Sequence, residues 1–164
     1  MSHEGDILTR ASQAPVATNA RHLLAGLIAE FFQYAPVIAD PTAVTELHRA
    51  RIAARRLRYT LETFDTVFGD EGARVIAEIT GLQDILGETH DLDVRINLIE
   101  DERRALAKHG NADCDLDRSL ASLLDRERLD RARLHDKVVV EWQLLREHDL
   151  RGRLVRLSAL PLAA

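Results

Sequence analysis

The chain has 164 residues, 46% hydrophobic and 30% charged, with aromatics at only 4%. That balance suits one helix-rich domain with its own core and excludes a disordered chain. A net charge of −5 and one cysteine, Cys114, exclude a generally basic nucleic-acid binder and an internal disulfide.

A reducing, cytoplasmic setting fits the cysteine usage, and the opening MSHEGDILTR lacks the basic start and apolar run of a signal peptide. The longest apolar stretch, Leu23 to Ala29, is too short to span a membrane. Residues 1–14 are expected to be frayed, and residues 15–160 to form a single domain. The first helix is predicted from near Pro15, a favoured first-turn residue, with Val16, Ala20, Leu23, Leu24, Leu27, Ile28, Phe31 and Phe32 on one face. Pro36 and Pro41 bracket a loop. Asp40 is expected to cap a second helix ending at Gly69. A third helix is expected from Asp70 to about Lys108, before Gly110-Asn111, with Gly87 as a kink or a close helix contact. Asp113 or Asp115 would cap a fourth, running to about His148, whose core residues are Leu116, Leu120, Leu123, Leu134, Val138, Trp142 and Leu145. Leu150, Leu154, Leu157 and Leu160 form a short last helix before Pro161, which closes the bundle or seals an oligomer. The expected fold class is all-α, an up-down four-helix bundle with a short C-terminal helix.

Charge is unevenly spread. Residues 41–68 carry five Arg and three acids, whereas residues 69–110 carry five basic and ten acidic residues. On the second helix His48, Arg51, Arg55 and Arg58 fall within a sector about 80° wide, beside the core face of Ala50, Leu57, Leu61, Phe64 and Phe68. Arg49 and Arg56 form a shorter row next to it. The span from His48 to Arg58 rises about 15 Å, a track suited to a chain of phosphates, which arginine forks can bind two oxygens at a time. Tyr59 and Trp142 are expected to be packing residues before ligands, although Tyr59 adjoins the row, with its hydroxyl within reach of a phosphate there.

Other readings stand beside this one. If the second and third helices pack antiparallel, facing residue numbers sum to about 139. Arg55 then lies level with Asp84, Arg51 with Glu88 and His48 with Asp91, and these acids with Asp93 would neutralise the row and leave a structural adaptor. Alternatively His48, His90, Asp91 and Asp93 converge as ligands of a divalent metal, the constellation of a phosphohydrolase of the His-Asp type. On the fourth helix Arg126, Arg128, Arg131, Arg133 and Lys137 alternate with Asp125, Glu127, Asp130 and Asp136 as a solvated face. Arg131 and Lys137 join the binding face only if they point toward the second helix. Cys114 has no neighbouring base and no expected catalytic role.

The pattern His48-x-x-Arg51-Ile52-x-x-Arg55-Arg56-Leu57-Arg58-Tyr59, followed by Leu82-Gln83-Asp84-Ile85-Leu86-Gly87 and Asp91-Leu92-Asp93-Val94, resembles the CHAD family, named for a histidine-containing α-helical domain. The resemblance covers about residues 44–99. It implies a helical fold that binds inorganic polyphosphate in a basic groove, as a binding module and not an enzyme, with no cofactor, no metal and no membrane partner. It also implies association with polyphosphate granules; nucleic acid is disfavoured as the ligand because no aromatic stacking platform is interleaved with the arginines. On it, His48, Arg51, Arg55, Arg56 and Arg58 carry over as phosphate-facing, and Asp91 and Asp93 as residues that shape the site. The family usually has two such helical units where this chain has one, so a homodimer would restore the second wall. His90 stands where Arg or Asn is expected and adds a pH-sensitive charge.

Overall fold

The computed structural model describes residues 4–108 and 114–159, with side chains from residue 16 on, except that of Cys114. Among these there are five α-helices and no strand: α1 (Glu4–Phe32), α2 (Val44–Thr63), α3 (Asp65–Lys108), α4 (Cys114–Glu147) and α5 (Leu150–Ser158). A 3-10 turn, Ala35–Val37, lies between α1 and α2. Gly110, Asn111, Asp113 and Pro161, expected as breaks and a cap, and Leu160, expected in the last helix, lie outside the described residues.

The first helix begins eleven residues before Pro15, at Glu4, so that proline is interior and marks no first turn. Its buried face is Ala20, Leu24, Leu27, Ile28 and Phe31. Val16 and Leu23, expected in the core, are about half exposed because the stripe of α1 that packs is narrower than its apolar set. Asp40 does not cap α2. Its carboxylate accepts from the Thr42 amide at 2.8 Å and the Thr42 hydroxyl at 2.6 Å, closing a turn around Pro41. Those bonds, the side-chain one first, hold the Asp40 carboxyl below the usual range. The next helix therefore starts later, at Val44, with Ala43 at its cap position.

Between α2 and α3 the chain turns over residues 63–69. Regular α2 ends at Thr63, earlier than expected, while the abrupt backbone change falls where glycine signalled it. Gly69 has φ 56° and ψ −153°, a conformation that side chains avoid. From there α3 runs unbroken through Gly87, which is no kink. α2 and α4 flank α3. The core joins Leu57, Leu61, Phe68, Val75, Ile79, Leu82 and Leu86 to Val138, Trp142 and Leu145 of α4. On the other side α5 closes the bundle: Leu150 and Leu154 are fully buried, and Arg21 of α1 donates to the carbonyls of Leu157 and Ala159. Arg153 of α5 also pairs with Glu71 and Glu78 of α3. Hence the last helix seals this domain's own core.

One half of the α3–α4 pair stands apart from that core. Beyond Leu92 α3 has no buried residue among those described, and α4 before Arg131 has only Leu124. Leu116 and Leu123, expected inside, are about 40% exposed because only α3 packs there. Cross-helix ion pairs Arg95–Glu127, Arg128–Glu100 and Arg103–Asp117 link the two helices instead. No helix among the described residues is long and apolar enough to cross a membrane.

Candidate functional site

Two helix periodicities build the site. On α2 the buried set Leu47, Ala50, Ala54, Leu57 and Leu61 fixes the inward face, which turns the row His48, Arg51, Arg55, Arg58 toward the seam with α3. On α3 the buried set Val75, Ile79, Leu82, Leu86 and Thr89 does the same for Thr80, Gln83, Gly87 and His90. His48 meets His90, rings 4.3 Å apart and tilted by 32°, and the Arg51 Nε lies 3.7 Å from where a Gly87 Cβ would stand. Residue numbers sum to 138 in both pairs, one residue from the expected register.

That one residue, with the helix period, decides the electrostatics. Opposite the row stand a hydroxyl, an amide, a glycine and an imidazole. Asp84, Glu88 and Asp91 project about a quarter-turn or more away and are exposed. No carboxylate of α3 pairs with the row. Among the described residues Arg51 and Arg55 form no ion pair. Arg58 reaches only Glu62 on its own helix, at 3.4 Å, and its guanidinium lies 4.9 Å from the Tyr59 ring centre. The expected neutralisation by Asp84, Glu88, Asp91 and Asp93 is thus not formed.

His48 is the electrostatic centre of the cluster. Burial of its ring, then the charges of His90, Arg51 and Arg55, hold its pKa below the ordinary imidazole value. Among the described residues its Nδ1 is buried with no hydrogen-bond partner, as are Nε of Arg58 and Oε1 of Gln83 in the same seam. Four basic side chains crowd together here without a facing acid, an arrangement that disfavours the free protein and favours a bound anion.

The other expected site residues lie elsewhere. Arg56 is turned to α1, where it pairs with Glu30 at 2.6 Å, and Arg49 is exposed on the same flank. The antiparallel α1–α2 pairing that sets this contact had no sequence signal beyond the opposite charges. Asp93 does not meet His48, His90 or Asp91. It binds Arg131 of α4 at 3.0 Å in a nearly dry pair, with side chains 12% and 9% exposed. Among the described residues no three His, Cys, Asp or Glu side chains converge as a metal site, so the expected four-ligand cluster does not form. Arg131 is thereby removed from the open face, and Lys137 is an exposed residue of α4. His135, which drew no notice in the sequence, is buried and hydrogen-bonds the Ile38 carbonyl at 3.0 Å, tying α4 to the α1–α2 linker. Tyr59 is half exposed beside Arg58.

Fold and site together define an all-helical protein with an unneutralised His/Arg row along one seam. Residues 3–100, more than half the chain, match the CHAD domain, and the protein belongs to that family. The match takes in α2 and the part of α3 that faces the row, and stops short of α4 and α5. No curated protein and no solved structure matches the chain.

Proposed function

We propose that this protein is a binding module for inorganic polyphosphate, held along the α2–α3 seam by Arg51, Arg55, Arg58 and His48, with His90 beside them. The observation that carries the reading is the row itself: guanidinium groups stacked one helical turn apart, with a facing surface free of carboxylate. A linear polyanion relieves repulsion along the whole row at once, whereas a single phosphate relieves only part of it. Membership of the CHAD family supports the same ligand class. Arg56 and Arg49 lie on the α1 flank of α2, away from the track, and Asp93 acts indirectly, by fixing α4 against α3 through Arg131.

The module binds and does not catalyse. Its row forms one wall only, and a homodimer would bring a second copy opposite the first. A clean monomer in light scattering at micromolar concentration argues against that pairing without touching the row. A cytoplasmic role at polyphosphate granules follows from the ligand.

The direct test is titration of long-chain polyphosphate at two salt concentrations, with tripolyphosphate and DNA as competitors. The reading expects binding that favours long chains and weakens steeply with salt. Absence of binding, or equal preference for DNA, overturns it.

A further inference from the structure

A second, separate site lies where the end of α1 and the linker after it meet α4 and α5, and its Trp142, Arg146, Asp149 and Arg151 lie beyond the residues that match the family. A cleft of about 480 Å³ is lined by Phe32, Ala35, Pro36, Trp142, Arg146, Asp149 and Arg151. That volume falls within the range of about 300–1,000 Å³ usual for small-molecule sites.

Its floor is aromatic. Phe31, Phe32 and Trp142 pack as a triad, with ring centres 5.1, 5.3 and 5.7 Å apart. Phe31 and Trp142 are buried, while Phe32 keeps part of its ring open. The rim is cationic. Arg146 and Arg151 are both exposed, and among the described residues neither side chain has an ion pair or hydrogen bond. The one carboxylate in the cleft, Asp149, is already engaged. It caps α5 through the Gly152 amide and pairs with Arg156 at 3.2 Å.

A cleft of similar size on the α3–α4 pair shows the contrast. There Arg103, Arg104 and Arg128 are each matched by an acid, Asp117, Asp101 and Glu100, so no charge is left for a ligand. At the α4–α5 cleft two charges remain.

Arg151 now covers Phe32, its guanidinium 5.6 Å from the ring centre. A flat ring can take that place on Phe32, and the displaced guanidinium can then fold over the ring or bond an anionic group beside Arg146.

We infer that this cleft binds a planar aromatic anion: a ring that stacks on Phe32 and carries a phosphate or carboxylate held by Arg146 and Arg151.

Trp142 is the only tryptophan in the chain, so its fluorescence, excited at the red edge, reports on this cleft alone. The full chain is titrated with AMP, with ribose 5-phosphate (no ring) and with adenosine (no anion). The expected result is saturable quenching by AMP, with each half-ligand at least tenfold weaker. Arg146→Ala with Arg151→Ala should abolish the quenching while leaving thermal unfolding unchanged. Arg51→Ala with Arg55→Ala should leave it intact, which separates this site from the row. No saturable change with AMP at millimolar concentration overturns the inference. So does quenching that survives loss of Arg146 and Arg151, or that is lost with Arg51 and Arg55.

Discussion

Removing Arg51 and Arg55 together is the sharpest perturbation of the row, because neither side chain is committed to another residue. Two charge-assisted contacts to phosphate disappear, each worth about 1–1.5 kcal/mol at a partly exposed face. The summed loss of about 2–3 kcal/mol corresponds to roughly 30–150-fold in affinity for long polyphosphate. Counterion release gives an independent handle: by the rule for single strands, about 0.7 per neutralised phosphate, the slope of log K against log salt should fall by about 1.4. Stability should move by less than about 0.5 kcal/mol, since no folded-state ion pair is lost. The control is Arg49→Ala with Arg56→Ala, which removes as much charge from the other flank of α2. Fluorescence anisotropy with end-labelled polyphosphate at four salt concentrations measures both quantities. Equal losses in the two double variants would refute the row, because net charge and not position would then set the affinity. A collapse of the fold in the Arg51/Arg55 variant would refute it as well, by showing a structural duty that the geometry denies.

Four further outcomes follow. Gln83→Glu places a carboxylate level with Arg55 and should weaken polyphosphate binding about tenfold in the same anisotropy assay. His48 has a folded pKa below its unfolded value of about 6.5, so the unfolded chain binds the extra proton. Stability from this group is present above that pH and is lost as pH falls below it; denaturant titrations should show a shallower acid-side loss for His48→Leu between pH 7.5 and 5.5. Breaking the dry pair by Arg131→Ala leaves Asp93 buried and should cost about 3–5 kcal/mol in chemical unfolding, with much of it regained on adding Asp93→Leu. Gly69→Ala forces a side chain into a glycine-only conformation and should cost about 1–3 kcal/mol, seen as a lower Tm with polyphosphate affinity unchanged.

Much of this was written locally in the chain. The spacing of His48, Arg51, Arg55 and Arg58 set the row, and Gly69 set the reversal that brings α3 alongside. Even the register was legible to within one residue, since a tight turn between antiparallel helices leaves little slack. What the sequence did not disclose was which neighbour each charged side chain would choose. Arg56 and Arg55 are adjacent in the chain yet face different helices, and only the packing of α1 against α2 explains why Glu30 takes one and leaves the other. A two-residue step turns Asp93 some 160° from Asp91, which the sequence itself implies, but that it would meet Arg131 of α4 depended on how α4 packs. The exposed Leu116 and Leu123 have the spacing of core residues, and their fate was decided by packing, since among the described residues α3 is the helix that faces them. Pro15 looked like a helix start because local preference was the only guide there.

The distal half of the α3–α4 pair has a thermodynamic consequence. With Leu124 its only buried apolar residue among those described, that arm lacks the area that makes unfolding all-or-none, while the body carries Leu57, Leu61, Val75, Ile79, Leu82 and Leu86 fully buried or nearly so. Amides of residues 95–106 and 116–128 should therefore trade hydrogen for deuterium through separate, shallow openings, long before those of residues 75–92 do. The molecule then has two melting units on one continuous rod, α3, and the row with its glycine and histidine partners sits on the half that stays closed.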